Sequence, residues 1–352
     1  MTTTLDSLFD ERGIVREDID GLRAPRAFAD AAAERASVTE AAGIVDHSGY
    51  GLVSVDGPDA RAFLHRLASH DFKAASSGDA LETVFLTGKG RILHHGIGIV
   101  RGDDVLLVRR APGSDGILAL LDRYHFSEDL EFASAEESFG VITILGSGAA
   151  SIASHVLGVD ASSIEAGKTA TSGETTVVRI EPIAGEAFLI VSPRGDLGDL
   201  WRKLEEAGAR PVGQCTFDDL RIEAGVPAEG TELDEDANPL EAGLWRAVRF
   251  DKGCYVGQEV VARLNTYDKV SRHCVRLSFD EGADPSLGSL RVDGREVGRV
   301  TSVASSPVDG RVAALGYLKK AHAEAGTEVT GHANGDEGGV SGRVEHQAAP
   351  SP

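Results

Sequence analysis

Lys252-Gly253-Cys254-Tyr255-Val256-Gly257-Gln258-Glu259, or KGCYVGQE, is the most distinctive stretch of this chain. Eight residues hold a thiol, an ammonium, a phenol, a carboxylate and two glycines. Cationic neighbours such as Lys252 and Arg249 favour the thiolate form of a cysteine. Gly253 and Gly257 allow a sharp turn or a close approach of backbone to a ligand. Gln258 and Glu259 open the run EVVARL, which suits a helix or a strand. A carboxylate just after the turn suits the first amides of a helix. Two readings of Cys254 stand side by side: a reactive thiol in an electropositive turn, and a small buried hydrophobe.

The surrounding charge sharpens the first reading. From Leu244 to Arg276, seven cations stand against three anions, a local +4 in a chain whose net charge is −21. A positive segment in so acidic a protein points to an anionic ligand or partner, or to cations paired with acidic neighbours in space. Elsewhere the negative field opposes nucleic acid and anionic membrane surfaces. The cations comprise 27 Arg and only 8 Lys, and aromatic residues make up 5%. This composition is similar to that of halophilic proteins adapted to a high-salt cytosol, which is the expected reading; an acidic protein from a GC-rich organism is the alternative.

The length of 352 residues suits two or three domains, and 41% hydrophobic content suffices for packed cores. Cys215, Cys254 and Cys274 form no CxxC pair and no disulfide framework, which speaks against structural zinc. No apolar run reaches the ~20 residues of a membrane span. MTTTLDSLFDERGIVRED lacks the basic and apolar regions of a signal peptide, so a cytoplasmic location is expected.

Periodicity predicts a lead-in helix around Pro25 to Ala36. Next come a strand over 51–56 and a helix opening at Gly57-Pro58 with Phe63, Leu64 and Leu67 on one face. Strands are predicted over 80–87, 91–100 and 104–111, with a hairpin at Gly102-Asp103, and a helix follows over 115–125. A strand over 139–146, a helix over 149–157, a strand pair around Gly185 and a helix over 195–207 complete the middle of the chain. Irregular mixing of these elements favours an α+β fold over a doubly wound one. From Ser278, short β segments between Gly and Asp predict a small barrel or sandwich. The expected division is a lead-in over 1–40, an α+β domain of two interleaved lobes over 41–277, a β-barrel-like domain over 278–346 and a tail over 347–352. A loop is expected at His332 to Glu337.

His94 and His95 are adjacent, and neighbours in a strand point to opposite faces, so they do not readily chelate one ion. No metal site is expected. Gly88-Lys89-Gly90-Arg91 lacks the spacing of a phosphate loop.

KGCYVGQE resembles the signature of the YgfZ family of folate-binding proteins, within the superfamily of the glycine-cleavage T-protein. LRIEAG (220–225), NPLEAGL (238–244), GIVDHS (43–48), VDGPDARAFLHRL (55–67) and GKGRIL (88–93) are similar to superfamily segments, in order, so the resemblance spans roughly Gly43 to Lys320. It implies a three-lobed cloverleaf with a C-terminal β-barrel-like domain, around a channel for tetrahydrofolate. T-proteins transfer a one-carbon unit to tetrahydrofolate and use an Asp in a G-G-x-[IL]-D-D stretch. At that place this chain has His94-His95, and a histidine handles protons without supplying a fixed negative charge.

The resemblance therefore implies an accessory protein that binds a folate and uses Cys254 in iron–sulfur cluster assembly or repair, with cluster-bearing client proteins or assembly factors as partners. Lys252, Gly253, Tyr255, Gly257, Gln258 and Glu259 would shape the loop of Cys254. The alternative is a folate-dependent aminomethyltransferase or related one-carbon transferase. The Gly185-Glu186 pair matches a family position where Glu binds the pterin, and a solvent-facing hairpin Glu is the other reading. Arg221, in LRIEAG, stands where the family places a ligand-facing Arg, or else pairs with a nearby carboxylate. Arg249 is a third candidate for folate. A monomer is the favoured state.

Overall fold

The computed structural model describes residues 4–280, 287–333 and 339–348. The chain separates into two compact units. The first comprises 1–65, 71–82 and 96–217, and the second 66–70, 83–95 and 218–352.

The first unit begins with an element that periodicity misses. Leu5–Glu11 is a short helix, capped by Thr4, whose hydroxyl accepts from the Ser7 amide. Leu5, Leu8 and Phe9 lie on its buried side. A two-stranded hairpin, Glu17–Ile19 with Leu22–Ala24, follows. The predicted lead-in helix over Pro25 to Ala36 forms later, at Ala31–Glu40. Two carboxylates explain the shift. Asp30 accepts from the Ala33 amide as an N-cap, and Glu34 accepts from the amides of Phe28 and Ala29, which holds those residues in a turn.

A six-stranded sheet runs in the order Thr169–Ser172, Thr175–Ile180, Glu186–Pro193, Phe139–Gly146, Gly43–Asp46 and Arg210–Pro211. All neighbours are antiparallel except the last pair. Its alternate residues Ile142, Ile144, Phe188 and Ile190 join Leu5, Phe9, Leu197 and Trp201 in one core. The helices Ala149–Leu157 and Leu197–Glu206 add Ala149, Ala150, Ala153, Leu200 and Leu204 to that apolar layer. A five-stranded sheet has the order Ala80–Leu86, Ile92–Arg101, Asp104–Pro112, Tyr50–Asp56 and Glu131–Ser134. The hairpin at Gly102-Asp103 closes as predicted, with Arg101 opposite Asp104 and Gly102 at φ 71°.

The second unit carries a closed antiparallel barrel. Its strands stand in the order Arg272–Asp280, Arg311–Lys319, Arg295–Val303, Leu287–Val292, Glu328–Ala333 and Val340–Gln347. Closure removes the exposed edges that a small open sheet would carry. Val275, Leu277, Phe279, Leu290, Leu318 and Val344 point inward. The first barrel strand starts at Arg272, six residues before the change of texture at Ser278. His332 and Ala333, expected in a loop, end a barrel strand, and the remainder of that expected loop from residue 334 lies outside the described residues. Of the expected tail, Gln347 belongs to the last barrel strand, and residues 349–352 also lie outside the described residues. No helix among the described residues is long and apolar enough to cross a membrane.

NPLEAGL anchors the barrel within this unit. The Asn238 side chain accepts from the amides of Leu240 and Glu241, which folds the segment tightly. That turns the Glu241 carboxylate inward, where Arg91 and Arg272 reach it at 3.3 and 3.2 Å. The Glu241 carbonyl accepts from the Cys274 amide in the first barrel strand.

Candidate functional site

The signature octapeptide forms a turn leading into the helix Gln258–Thr266, so EVVARL is helical. Gly257 stands at its N-cap with φ 82°, where a side chain is strained. A Cβ there would come within 2.6 Å of the Thr87 carbonyl oxygen. Gly90 meets the same contact from the opposite turn: its φ is 70°, and a Cβ would lie 3.1 Å from Val260 Cβ. The GKGR turn and the KGCYVGQE turn thus pack through their glycines.

Lys252 is buried. Its ammonium donates to the carbonyls of Ala68 and His70 at 2.7 and 2.8 Å and lies 4.8 Å from the centroid of the Tyr255 ring. Tyr255 is buried too, and burial pushes its phenol up to about 12. Arg249 chelates Asp251 through Nε and Nη2 at 3.1 and 3.0 Å. Both cations that flank the thiol in sequence are therefore engaged with other partners. Gln258 Nε2 donates to the Lys252 carbonyl at 3.4 Å and closes the turn, while Glu259 is exposed in the first turn of the helix. Cys254 itself is exposed, as is Gly253. Within the +4 segment Arg249 pairs with Asp251 and Arg272 with Glu241, while Lys252 is held by main-chain carbonyls.

Arg221 sits in a buried network. It donates from Nε to Asp218, from Nη1 to the Val226 carbonyl and Glu232, and from Nη2 to Ser302, at 3.0 to 3.3 Å. Burial pushes the Glu232 carboxyl up, but Arg221, Ser302, Thr301 and the Ala228 amide outweigh it and hold it below the usual range. This guanidinium serves its neighbours, the carboxylate-pairing reading of the sequence.

Glu186, in the other unit, follows Gly185, which turns at φ 121°. Its Oε1 accepts from Arg179 Nη2 at 2.6 Å, and Arg179 lies over the Phe188 ring. Among the described residues Oε2 has no partner.

His94 lies on the strand Ile92–Arg101, and its Nδ1 stands 3.2 Å from Oε1 of Glu229. The other oxygen of Glu229 accepts from the His95 amide at 3.0 Å. Glu229 and Leu93 line an open cleft of about 430 Å3, with Ile92 and Leu233 supplying apolar wall. No motif marks Glu229. Its only signal is a carboxylate at the head of VPAEGTELDED, a segment otherwise legible as a turn. Among the described residues no group of three His, Cys, Asp or Glu is placed to hold a metal ion.

The GCVT N-terminal domain family matches residues 5–252, and the glycine cleavage T-protein C-terminal barrel domain matches 272–339. The chain belongs to the glycine cleavage T-protein family. An aminomethyltransferase of Rubrobacter xylanophilus is 30% identical over 318 residues, covering 89% of this chain and 85% of that one. A putative chloroplastic transferase of Arabidopsis thaliana is 29% identical over 314 residues, or 88% of this chain and 72% of that one. The glycine cleavage system aminomethyltransferase T of Bartonella henselae shares the fold at a TM-score of 0.84, with 24% identity over 97% of this chain and 95% of that one. The expected mixed fold with a C-terminal barrel is thus the fold of the T-protein family.

Proposed function

We propose that this T-protein family member is a tetrahydrofolate-dependent aminomethyl or related one-carbon transferase. The observation that carries this reading is the match to aminomethyltransferases along nearly the whole of both chains, not at an isolated motif. KGCYVGQE taken alone points to the accessory role; the relatives weigh toward the transferase.

The residues fit a folate in part. Glu186 keeps one carboxylate oxygen for a pterin N–H beside the one that Arg179 holds. Arg221 does not suit the folate's carboxylates, because Asp218 and Glu232 already neutralise it. When bound, tetrahydrofolate supplies the nitrogen that accepts the one-carbon unit. Negative charge near His94, absent from that residue type, comes from Glu229.

The test uses the full chain with tetrahydrofolate and a carrier bearing an aminomethyl group. Formation of methylene-tetrahydrofolate, with folate binding seen by calorimetry, is expected. Folate binding without product would leave the accessory reading in its place.

That second reading is favoured by one observation: the thiol of Cys254 is exposed in its turn. A client-facing cysteine must be reachable. Cells carrying Cys254→Ala would then lose activity of iron–sulfur enzymes of the aconitase type, and normal activity would count against the role.

A further inference from the structure

We propose that His94 and Glu229 form an acid–base pair that moves the proton of a substrate amine. The identity of the reaction rests on the transferase reading above; the pair itself rests on geometry.

Two distant segments build it. His94 comes from a β-strand and Glu229 from the turn-rich segment after Val226, 135 positions away. The carboxylate is held at both ends, Oε1 by His94 Nδ1 and Oε2 by the His95 amide. It is therefore fixed in orientation. Side-chain exposure is 15% for His94 and 10% for Glu229, so the pair interacts in a largely water-excluded setting.

A carboxylate at Nδ1 selects the tautomer with the proton on Nδ1 and leaves a lone pair on Nε2. Among the described residues Nε2 of His94 has no hydrogen-bond partner. His47 shows what a purely structural histidine looks like in this protein. Both of its nitrogens are engaged, by Thr143 at 2.6 Å and Gln214 at 3.2 Å, and its ring stacks on Tyr50. His94 has one nitrogen oriented by a carboxylate and the other available. That is the arrangement of a general base whose proton donor comes from outside. Glu229, the carboxylate of the pair, lines the open cleft together with Leu93, and a small amine can enter there.

The step balances as follows. The amine's lone pair forms the bond to carbon, an N–H bond of the resulting ammonium breaks with its electrons returning to that nitrogen as a lone pair, and the proton forms a bond to Nε2. Glu229 compensates the resulting imidazolium. When the carbon–nitrogen bond to the leaving amine breaks, its electrons stay on that nitrogen, and Nε2 returns the proton there. The pair ends as it began.

The test has a structural arm and a kinetic one. Long-range proton–nitrogen correlation on the full chain with 15N-histidine, with His94→Asn to assign the signal, should show the neutral ring protonated at Nδ1. A ring protonated at Nε2 overturns the proposal. In the transfer assay His94→Asn should lose about 100-fold or more in kcat, and Glu229→Gln at least 10-fold, with the dissociation constant for tetrahydrofolate unchanged. Active wild-type protein with undiminished turnover in His94→Asn sinks the pair alone. An inactive wild-type chain sinks the transferase reading and the pair's role in it.

Discussion

Lys252 Nζ donates to the main-chain carbonyl of Ala68 at 2.7 Å, across 184 positions of sequence. Together with the His70 carbonyl and the Tyr255 ring, this contact turns the first residue of the signature inward. The ammonium is a structural rivet beneath the turn that presents Cys254 to solvent. Lys252→Met keeps the apolar stem and removes the donor, so two carbonyls lose a charge-assisted partner. The expected cost is about 2–4 kcal/mol, read as a lower urea midpoint with unchanged slope. A wild-type midpoint in this variant would show that water replaces the ammonium at no cost.

Gly257→Ala tests the contact between the two glycine turns. The variant must adopt φ 82° with a side chain and also displace the Thr87 carbonyl, which a Cβ would approach to 2.6 Å. The two penalties together should cost roughly 2–4 kcal/mol. Gly102→Ala offers the comparison, since φ is 71° there but nothing lies within 4 Å of the added atom. The difference between the two variants in thermal unfolding measures the steric part. Equal losses would mean that the Thr87 turn gives way freely.

What was legible in the sequence follows from how local the cause is. The strand Phe139–Gly146 and the helix Ala149–Leu157 stand where periodicity puts them, because each is an apolar run bounded by glycine. The barrel shows through its Gly and Asp turns, although its first strand begins earlier, at Arg272, under a run of mixed charge. Leu5–Glu11 escapes because seven residues hold under two turns of pattern, and its stability comes from burying Leu5, Leu8 and Phe9. At the candidate site the motif and its glycines are visible, since they are contiguous. The inward turn of Lys252 and the pairing of Glu229 with His94 are not, because their partners are remote in sequence.

The Arg221–Glu232 pair carries a prediction with a sign. Glu232 titrates below its ordinary 4.5 in the folded chain. Its contribution to stability is therefore fully present above that value and is lost as pH falls through the lower, folded one. Arg221→Leu strands a buried carboxylate and should cost about 3–5 kcal/mol near neutrality. Adding Glu232→Gln should recover part of that loss, because the stranded charge is gone. Chemical denaturation of both variants at pH 7 decides it; a double variant less stable than Arg221→Leu would locate the energy in the hydrogen bonds to Ser302 and Thr231 instead.

His47 predicts an acid-side loss of stability that belongs to the first unit. Burial, helped by the nearby charge of Arg110, pushes its imidazole down to about 3 from 6.5. The folded chain thus keeps His47 neutral while the unfolded chain takes up a proton below about pH 6.5. Stability must then fall as pH falls, by roughly 1.4 kcal/mol per pH unit from this one group, until the folded state also protonates near pH 3. His47→Gln removes the titration, and its amide can still bond Thr143. The stability of wild type minus that of the variant, measured with urea at pH 7, 6, 5 and 4, isolates the group from every other carboxylate and histidine. The difference should shrink steadily toward pH 4. A flat difference would mean that the folded protein admits the proton as readily as the unfolded one, and that the stacked, doubly bonded ring is less enclosed than its contacts with Tyr50 and Phe217 require.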